Sequence, residues 1–514
     1  MASAFREGPA IHSPEPCCRY SQRASGLLLH ITSLRSRFGT GDLGPAANRF
    51  VTSLSQAGQT FWQVLPLHPT DSGHRHSPYH ATSLFALNPL LISPELLVKD
   101  GITGGDHPGS FPPAGVEGAG LFREAPLKVE LLRAAARENR CGRDDSGFGR
   151  FRAENQEWLD DYALFSAIAR NNGVDWSAWP RGIRDREPAV LERVQRELEE
   201  AVREEEYIQY LAFTQWDSLH EHASIHGIRI IGDLPLYPAY ESADVWSHRD
   251  LFWLDSEGRP TAVAGVPPDY FSSTGQWWGN PIYRWEEIEK QGFSWWKDRV
   301  EHMLRLFDCL RVDHFRGLQA FWKIPAGAAT ASEGSWVRAP GQALLSHLAA
   351  RLPSLPLIAE DLGTITPDVR ELMAMFGIPG MRVLQFGFDG DPDNPHALGA
   401  IGEDSVLYTG THDNNTMRGW FEEEVRPDQL ERIAAALGKV PSSAEIAREM
   451  ITLALESPAW LVVIPVQDLL CLGSKARMNV PGTTEGNWQW RLRPGEPRAD
   501  YWAWLREKTI RSGR

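Results

Sequence analysis

A chain of 514 residues with 42% hydrophobic content can bury a large core and is long enough for roughly two to four domains. Its formal net charge of −15, with no Lys/Arg-rich run to offset it, argues against a nucleic-acid partner. The N-terminal "MASAFREGPAIHSPEPCCRY" lacks the apolar centre of a secretory signal and no stretch of about eighteen apolar residues follows, so no membrane partner is expected and the cytoplasm is the expected compartment.

In chain order, the five cysteines (Cys17, Cys18, Cys141, Cys309, Cys471) are odd in number and lack the paired spacings of a zinc site, which predicts reduced thiols. The first strand-like run is "GLLLHI" (26–31), followed by a helix-like "PAANRFVTSLSQAG" and a second run, "FWQVLPL" (61–67). Directly after it, "HPTDSGHRHSPYH" holds His68, His74, His76 and His80. A metal would need at least three of these to converge, and the two prolines and short span argue that they do not, so no metal is expected. Residues 90–225 then read as a mainly helical insertion, because Leu191, Val194, Leu198 and Val202 recur at helical spacing in "ERVQRELEEAVREEE". The acidic face of that helix is expected to be solvated.

The third run is "IRIIGDL" (228–234), and residues 237–300 read as a loop-rich insertion behind it. Five more runs follow: "DCLRVD" (308–313), "LPLIAE" (355–360), "MRVLQF" (381–386), "SVLYTG" (405–410) and "WLVVIPV" (460–466). Helix-like segments separate most of them, one opened by Thr366-Pro367, an N-cap followed by proline at the first helical position. Eight strands alternating with helices predict an α/β chain built as a single (β/α)8 TIM barrel over 1–514 with inserted subdomains. The twenty tryptophans, many of them in Gly/Pro-punctuated loops, suggest stacking against something flat and polar.

Catalytic residues of such a barrel come from the C-terminal ends of its strands. Asp233, Asp313, Glu360 and Asp413 all lie at or just past such ends. One acidic residue there would read as a helix cap; four opening onto one mouth read as a site. Carboxylates without cysteine or a spaced histidine pair suit glycosidic chemistry, with an ionised nucleophile opposite a protonated acid. A divalent metal is the rival, but Arg311 and Arg316 flank Asp313, and their charge would hold a carboxylate ionised while repelling Mg²⁺ or Ca²⁺. Glu360, with apolar residues before it, suits the protonated role.

The motifs "RASGLLLHITSL", "WQVLPLHPT…SPY", "VAGVPPDYFSSTGQWWGNPIYRW", "LRVDHFRG", "IAEDLGTITPDV", "YTGTHDNNT" and "ARMNVPGTTEGNWQWR", spanning about Arg23 to Arg491, resemble the 4-α-glucanotransferases known as amylomaltases or disproportionating enzymes. The resemblance implies an α-amylase-like barrel and a retaining transglycosylase. It makes Asp313 the nucleophile, Glu360 the acid and then base, and Asp413 the group that stabilises the transition state. Asp313 and Glu360 should then stand about 5–5.5 Å apart. Asp233, Arg311, His314 and His412 would hold the same sugar ring, Tyr79 in the Ser77-Pro78-Tyr79 segment would stack on it, and Asp269, Gln276, Trp278 and Asn280 would form donor or acceptor subsites. Partners would be maltooligosaccharides, starch or glycogen fragments and glucose, and no cofactor is called for.

The segment "VAGVPPDYFSSTGQWWGNP" reads as an irregular loop whose aromatics exclude water, with Trp277 as an anchor for the insertion. Asn487, Trp488 and Arg491 read as structural. The chain departs from the family pattern at Arg35, where proline is common, and at Asn415, where the last residue of "THDND" is usual. An amylase-type hydrolase and a non-catalytic glucan binder are the competing readings; the complete acid triad argues against the binder.

Overall fold

The computed structural model describes residues 22–103, 122, 125–139, 146–268, 274–352 and 354–514. Its twelve strands are β1 (Ala24–Leu28), β2 (Phe61–Gln63), β3 (Arg229–Leu234), β4 (Ala262–Val266), β5 (Gln276–Pro281), β6 (Cys309–Val312), β7 (Ala320–Pro325), β8 (Ser335–Arg338), β9 (Leu357–Ala359), β10 (Met381–Val383), β11 (Val406–Tyr408) and β12 (Leu461–Pro465). Eight of them form one parallel sheet in the order β10-β11-β12-β1-β2-β3-β6-β9. A parallel bridge between Ala359 and Gly380 joins its two ends, closing the expected barrel. Seven of the eight predicted runs contain one of these strands, and the first, 26–31, overlaps β1, which begins two residues earlier.

The runs were legible because barrel strands are covered on both faces and so stay apolar throughout. Alternate residues serve different cores. Phe61, Ile231, Cys309, Ile358, Met381, Val406, Leu461 and Val463 fill the barrel interior. Trp62, Ile230, Leu310, Leu407, Val462 and Ile464 face the surrounding helices. This alternation sets the direction of every polar residue that continues a strand.

Between β2 and β3 the described chain is helical, dominated by Ser146–Asn172 and Glu199–Ile225, which pack along each other. The acidic segment differs from expectation twice. The helix breaks at Leu198, between Pro188–Glu197 and Glu199–Ile225. Glu204, Glu205 and Glu206 are buried rather than solvated. Arg170 pairs with Glu204 and Glu205, Arg137 with Glu204 and Arg152 with Glu206, so cations from two neighbouring helices supply what water would have supplied.

Sequence patterning did not reveal a second sheet, which is antiparallel with the order β5-β4-β7-β8. It is built from the β3–β6 connection and from the segment after β6. The stretch read as an irregular loop is therefore mostly two paired strands, β4 and β5. Tryptophan use also differs from expectation: Trp62, Trp176, Trp216, Trp246 and Trp296 are fully buried packing residues. Among the described residues, no helix is long and apolar enough to cross a membrane.

Candidate active site

The interior-facing phase of three adjacent strands brings the polar residues together. Along β6, Arg311 and Asp313 follow Cys309 at steps of two, on the face turned to the barrel axis. Asp233 follows Ile231 on β3, and Glu360 follows Ile358 beyond β9, in the same phase. Val312 pairs with Ala359, so Asp313 and Glu360 stand side by side one residue past the paired ends. Neighbouring strands lie about 4.7–4.9 Å apart. That spacing suits the roughly 5–5.5 Å carboxyl separation of a retaining pair.

Arg311 is the centre of the constellation. Its Nη1 donates to both carboxylate oxygens of Asp233 at 2.8 Å, and its Nη2 donates to Asp313 Oδ1 at 2.9 Å. Burial works against the guanidinium charge, but Asp233 and Asp313 more than offset it and hold the group well above its usual range. Arg316, the other cation of the motif, does not reach Asp313. It donates to the Thr364 carbonyl at 2.6 Å and lies over the Trp336 ring, because His314 turns the chain away between them.

His314 has a left-handed backbone (φ 49°), uncommon for a residue with a side chain. That conformation aims its N–H at Glu360 Oε2, 2.8 Å away, while the N–H of Leu362 reaches Oε1 at 2.9 Å. Burial pushes the Glu360 carboxyl up to about 8; Arg311 opposes the rise and Asp313 adds to it. Burial pushes the His314 ring down to about 4, so it is neutral, and it stands edge-on to Trp278 with centroids 4.7 Å apart.

Asp413 lies on the loop beyond β11, with a side chain 43% exposed, more open than Asp313 or Asp233. Its Oδ1 accepts from Asn479 Nδ2 at 2.7 Å and its carbonyl from Arg477 at 2.8 Å. Tyr79 joins this side of the site to Asp233: its hydroxyl donates to Asp233 Oδ2 at 2.7 Å and lies 2.9 Å from His412 Nε2. With the phenol proton given to Asp233, His412 meets the hydroxyl as an N–H donor. The Tyr79 and His412 rings are stacked 5.3 Å apart, and Trp488 tilts against both at 5.9 and 6.0 Å.

The structure therefore brings together Asp233, Arg311, Asp313, His314, Glu360, Tyr79, His412 and Asp413. Gln276, Trp278 and Asn280 lie on β5; Gln276 accepts from Trp278 Nε1 at 3.2 Å, and Asn280 Nδ2 donates to the Pro238 carbonyl at 2.8 Å, tying β5 to the chain beyond β3. Ser77 shapes the turn before Tyr79, its carbonyl accepting from the His80 N–H at 3.1 Å. Asp269 lies outside the described residues. Trp277, expected to anchor the insertion, is exposed, because its neighbour Trp278 takes the inward position on the strand.

Sequence reasoning missed Asn479 and undervalued Trp488. Both lie on the long excursion after β12, where no apolar run marks a strand end; only their place in "ARMNVPGTTEGNWQWR" could have drawn attention to them. Of the four histidines of this loop only His74 and His80 come together, His68 facing the Ala86 carbonyl and His76 facing Thr70, but Asp71 joins the pair, with potential ligand atoms of the three within 4.8 Å of one another. Left-handed Arg75 and His76 (φ 53° and 55°) fold the loop back on itself despite its prolines.

Asn415 has a local rationale. Its Nδ2 donates to Glu424 Oε1 at 2.9 Å and to Ser474 Oγ at 3.1 Å. Asn415→Asp would set two carboxylates against each other, and we expect a loss of about 1–3 kcal/mol at neutral pH. The penalty exists only while both groups are ionised, so the difference in melting temperature from the parent should shrink as pH falls through the carboxylate range.

Residues 29–496 match the family model described as 4-alpha-glucanotransferase. The chain is 46% identical over 492 residues to the 4-alpha-glucanotransferase of Thermus thermophilus, an alignment covering 94% of this chain and 97% of the relative. It is 45% identical to that of Aquifex aeolicus, over 92% of this chain and 96% of the relative. Among solved structures, the amylomaltase of Streptococcus agalactiae in complex with acarbose superposes with a TM-score of 0.88 at 36% identity, covering 96% of this chain and all of that one.

Proposed function

Because the chain belongs to the 4-alpha-glucanotransferase family, we propose that it moves a segment of an α-1,4-glucan from a maltooligosaccharide donor to the 4-hydroxyl of glucose or another oligosaccharide. Starch or glycogen fragments are the corresponding larger donors. The observation that carries the mechanism is a pair of unlike carboxyls on adjacent strands. One, Glu360, is half-buried, and desolvation pushes its carboxyl up to about 8; the other, Asp313, is paired with Arg311.

In the first step Asp313 attacks the anomeric carbon as the bond to the glycosidic oxygen breaks, and the Glu360 proton passes to that departing oxygen. The products are a glycosyl ester on Asp313, an ionised Glu360 and a released sugar. In the second step Glu360 takes the proton of the acceptor's 4-hydroxyl, whose oxygen attacks the same carbon and expels the Asp313 carboxylate. Two inversions give net retention. Asp413, open to the cleft and held by Asn479, faces the positive charge that develops on the ring. Asp233 and Arg311 fix the nucleophile's position, and Tyr79 with His412 closes one side of the subsite. Protons and electron pairs balance among these groups and the sugars.

Glu360 must be protonated for the first step, so kcat/KM should fall as pH rises through about 8, the value to which burial pushes its carboxyl. A pH profile of maltotriose turnover that stays flat from neutrality to well above that value would show that a different group is the acid.

Hydrolysis shares the first step and differs only in the acceptor, and incubation with maltotriose separates the two outcomes. Glucose plus longer oligomers at a constant total of reducing ends supports transfer; rising reducing ends would support hydrolysis, and no change would support a binder.

A further inference from the structure

We propose that Asp71, His74, His80 and Glu241 form a binding site for a first-row divalent cation of the Zn²⁺ class, on the loop that carries Tyr79. The loop is built rather than slack. An antiparallel bridge between Thr70 and Ala81 closes its base, and the N–H groups of Arg75, His76, Ser77 and His80 are all satisfied by carbonyls within the loop. Inside it, Asp71 Oδ1 accepts from the His74 N–H at 3.0 Å, and Asp71 Oδ2 lies 2.9 Å from His74 Nδ1. The His80 ring stacks on His74 at 3.3 Å between centroids, and His80 Nε2 faces Glu241 Oε2 at 3.2 Å.

The two imidazoles are in direct contact, and each has one ring nitrogen aimed at a carboxylate. A single dication between Asp71, His74 and His80 would meet one carboxylate and two ring nitrogens at once, and Glu241, outside that trio but 3.2 Å from His80 Nε2, would complete the shell by moving with that ring. The ligand atoms of Asp71, His74 and His80 lie within 4.8 Å of one another. Zinc bonds of about 2.0–2.1 Å place tetrahedral ligands roughly 3.3 Å apart, so binding requires the rings to leave their stack and close by about 1 Å or more. The exposure of His74 and His80 (41% and 22%) leaves room for that rotation. Two nitrogens and two carboxylates suit Zn²⁺, Co²⁺, Ni²⁺ or Cu²⁺, whereas Ca²⁺ and Mg²⁺ favour an all-oxygen shell. Glu241 comes from the chain beyond β3, so a bound ion would clamp the Tyr79 loop to it.

The test is equilibrium dialysis of the full chain, stripped with a chelator, against micromolar Zn²⁺, with bound metal measured directly. The expected result is one Zn²⁺ per chain, with affinity reduced at least about tenfold in His74→Gln/His80→Gln and also in Asp71→Asn. Asp313→Asn should retain the ion, which separates this site from the catalytic carboxylates. Circular dichroism of each variant establishes that it is folded. Equal Zn²⁺ affinity in the parent and both loop variants, or no Zn²⁺ bound by the parent, would overturn the proposal and leave two ordinary histidine–carboxylate hydrogen bonds.

Discussion

Asp313→Asn is expected to lower maltotriose turnover by about 10⁴–10⁶-fold, the scale on which removing a covalent nucleophile acts. An amide oxygen is too weak a nucleophile to form the ester, and no neighbour can take over, because Asp233 is held at both oxygens by Arg311 and Glu360 is held by two backbone N–H groups. The fold should survive. Asp233, Arg311 and Asp313 together carry one net negative charge, and the substitution leaves a neutral Asp233–Arg311 pair in the barrel. A melting temperature close to the parent's, alongside the lost activity, is the expected combination. Asp313 also adds to the rise of the Glu360 carboxyl, so the alkaline limb of any residual activity should move to lower pH.

Glu360→Gln is expected to cost about 10²–10⁴-fold on maltotriose, the usual range for a general acid and base. The loss should depend on the donor. With an aryl α-maltooligosaccharide, whose leaving group needs no proton, the first step should recover toward the parental rate. Transfer should then stall at the second step, for want of a base to activate the acceptor. A Glu360→Gln variant equally slow in its first step on both donors would mean that Glu360 is not the acid. A glutamine can satisfy only one of the N–H groups of Leu362 and His314 with its single oxygen, so a stability loss of about 1 kcal/mol should accompany the kinetic one.

The parts of this molecule legible in its sequence are those governed by one dominant force. Barrel strands such as β12 are buried on both sides, and burial leaves an unbroken apolar run. Asp313 and Glu360 stood out because each ends such a run. The second sheet escaped notice because β5 and β8 are largely uncovered and carry mixed residues with no clear alternation. Glu204 to Glu206 were misread because a local pattern cannot show that Arg137, Arg152 and Arg170, remote in sequence, will arrive to pair with them. The approach of Asp71 to His74 and His80 was hidden for a related reason: it depends on two left-handed residues, Arg75 and His76, at positions where glycine would have been the signal. Asn479 and Trp488 reach the site from loops, where position is set by tertiary packing alone.

The central claim is a glycosyl ester on Asp313, and it is tested most directly by trapping that ester. A fluorinated maltooligosaccharide donor that forms the intermediate faster than it is resolved should leave one covalent sugar on the protein. Cleavage after Arg311 and Arg316 releases Val312-Asp313-His314-Phe315-Arg316 as a short peptide. The account predicts the adduct on Asp313 in that peptide and its disappearance in Asp313→Asn; an adduct on Glu360 or Asp413, or turnover of ordinary donors undiminished in Asp313→Asn, would contradict it.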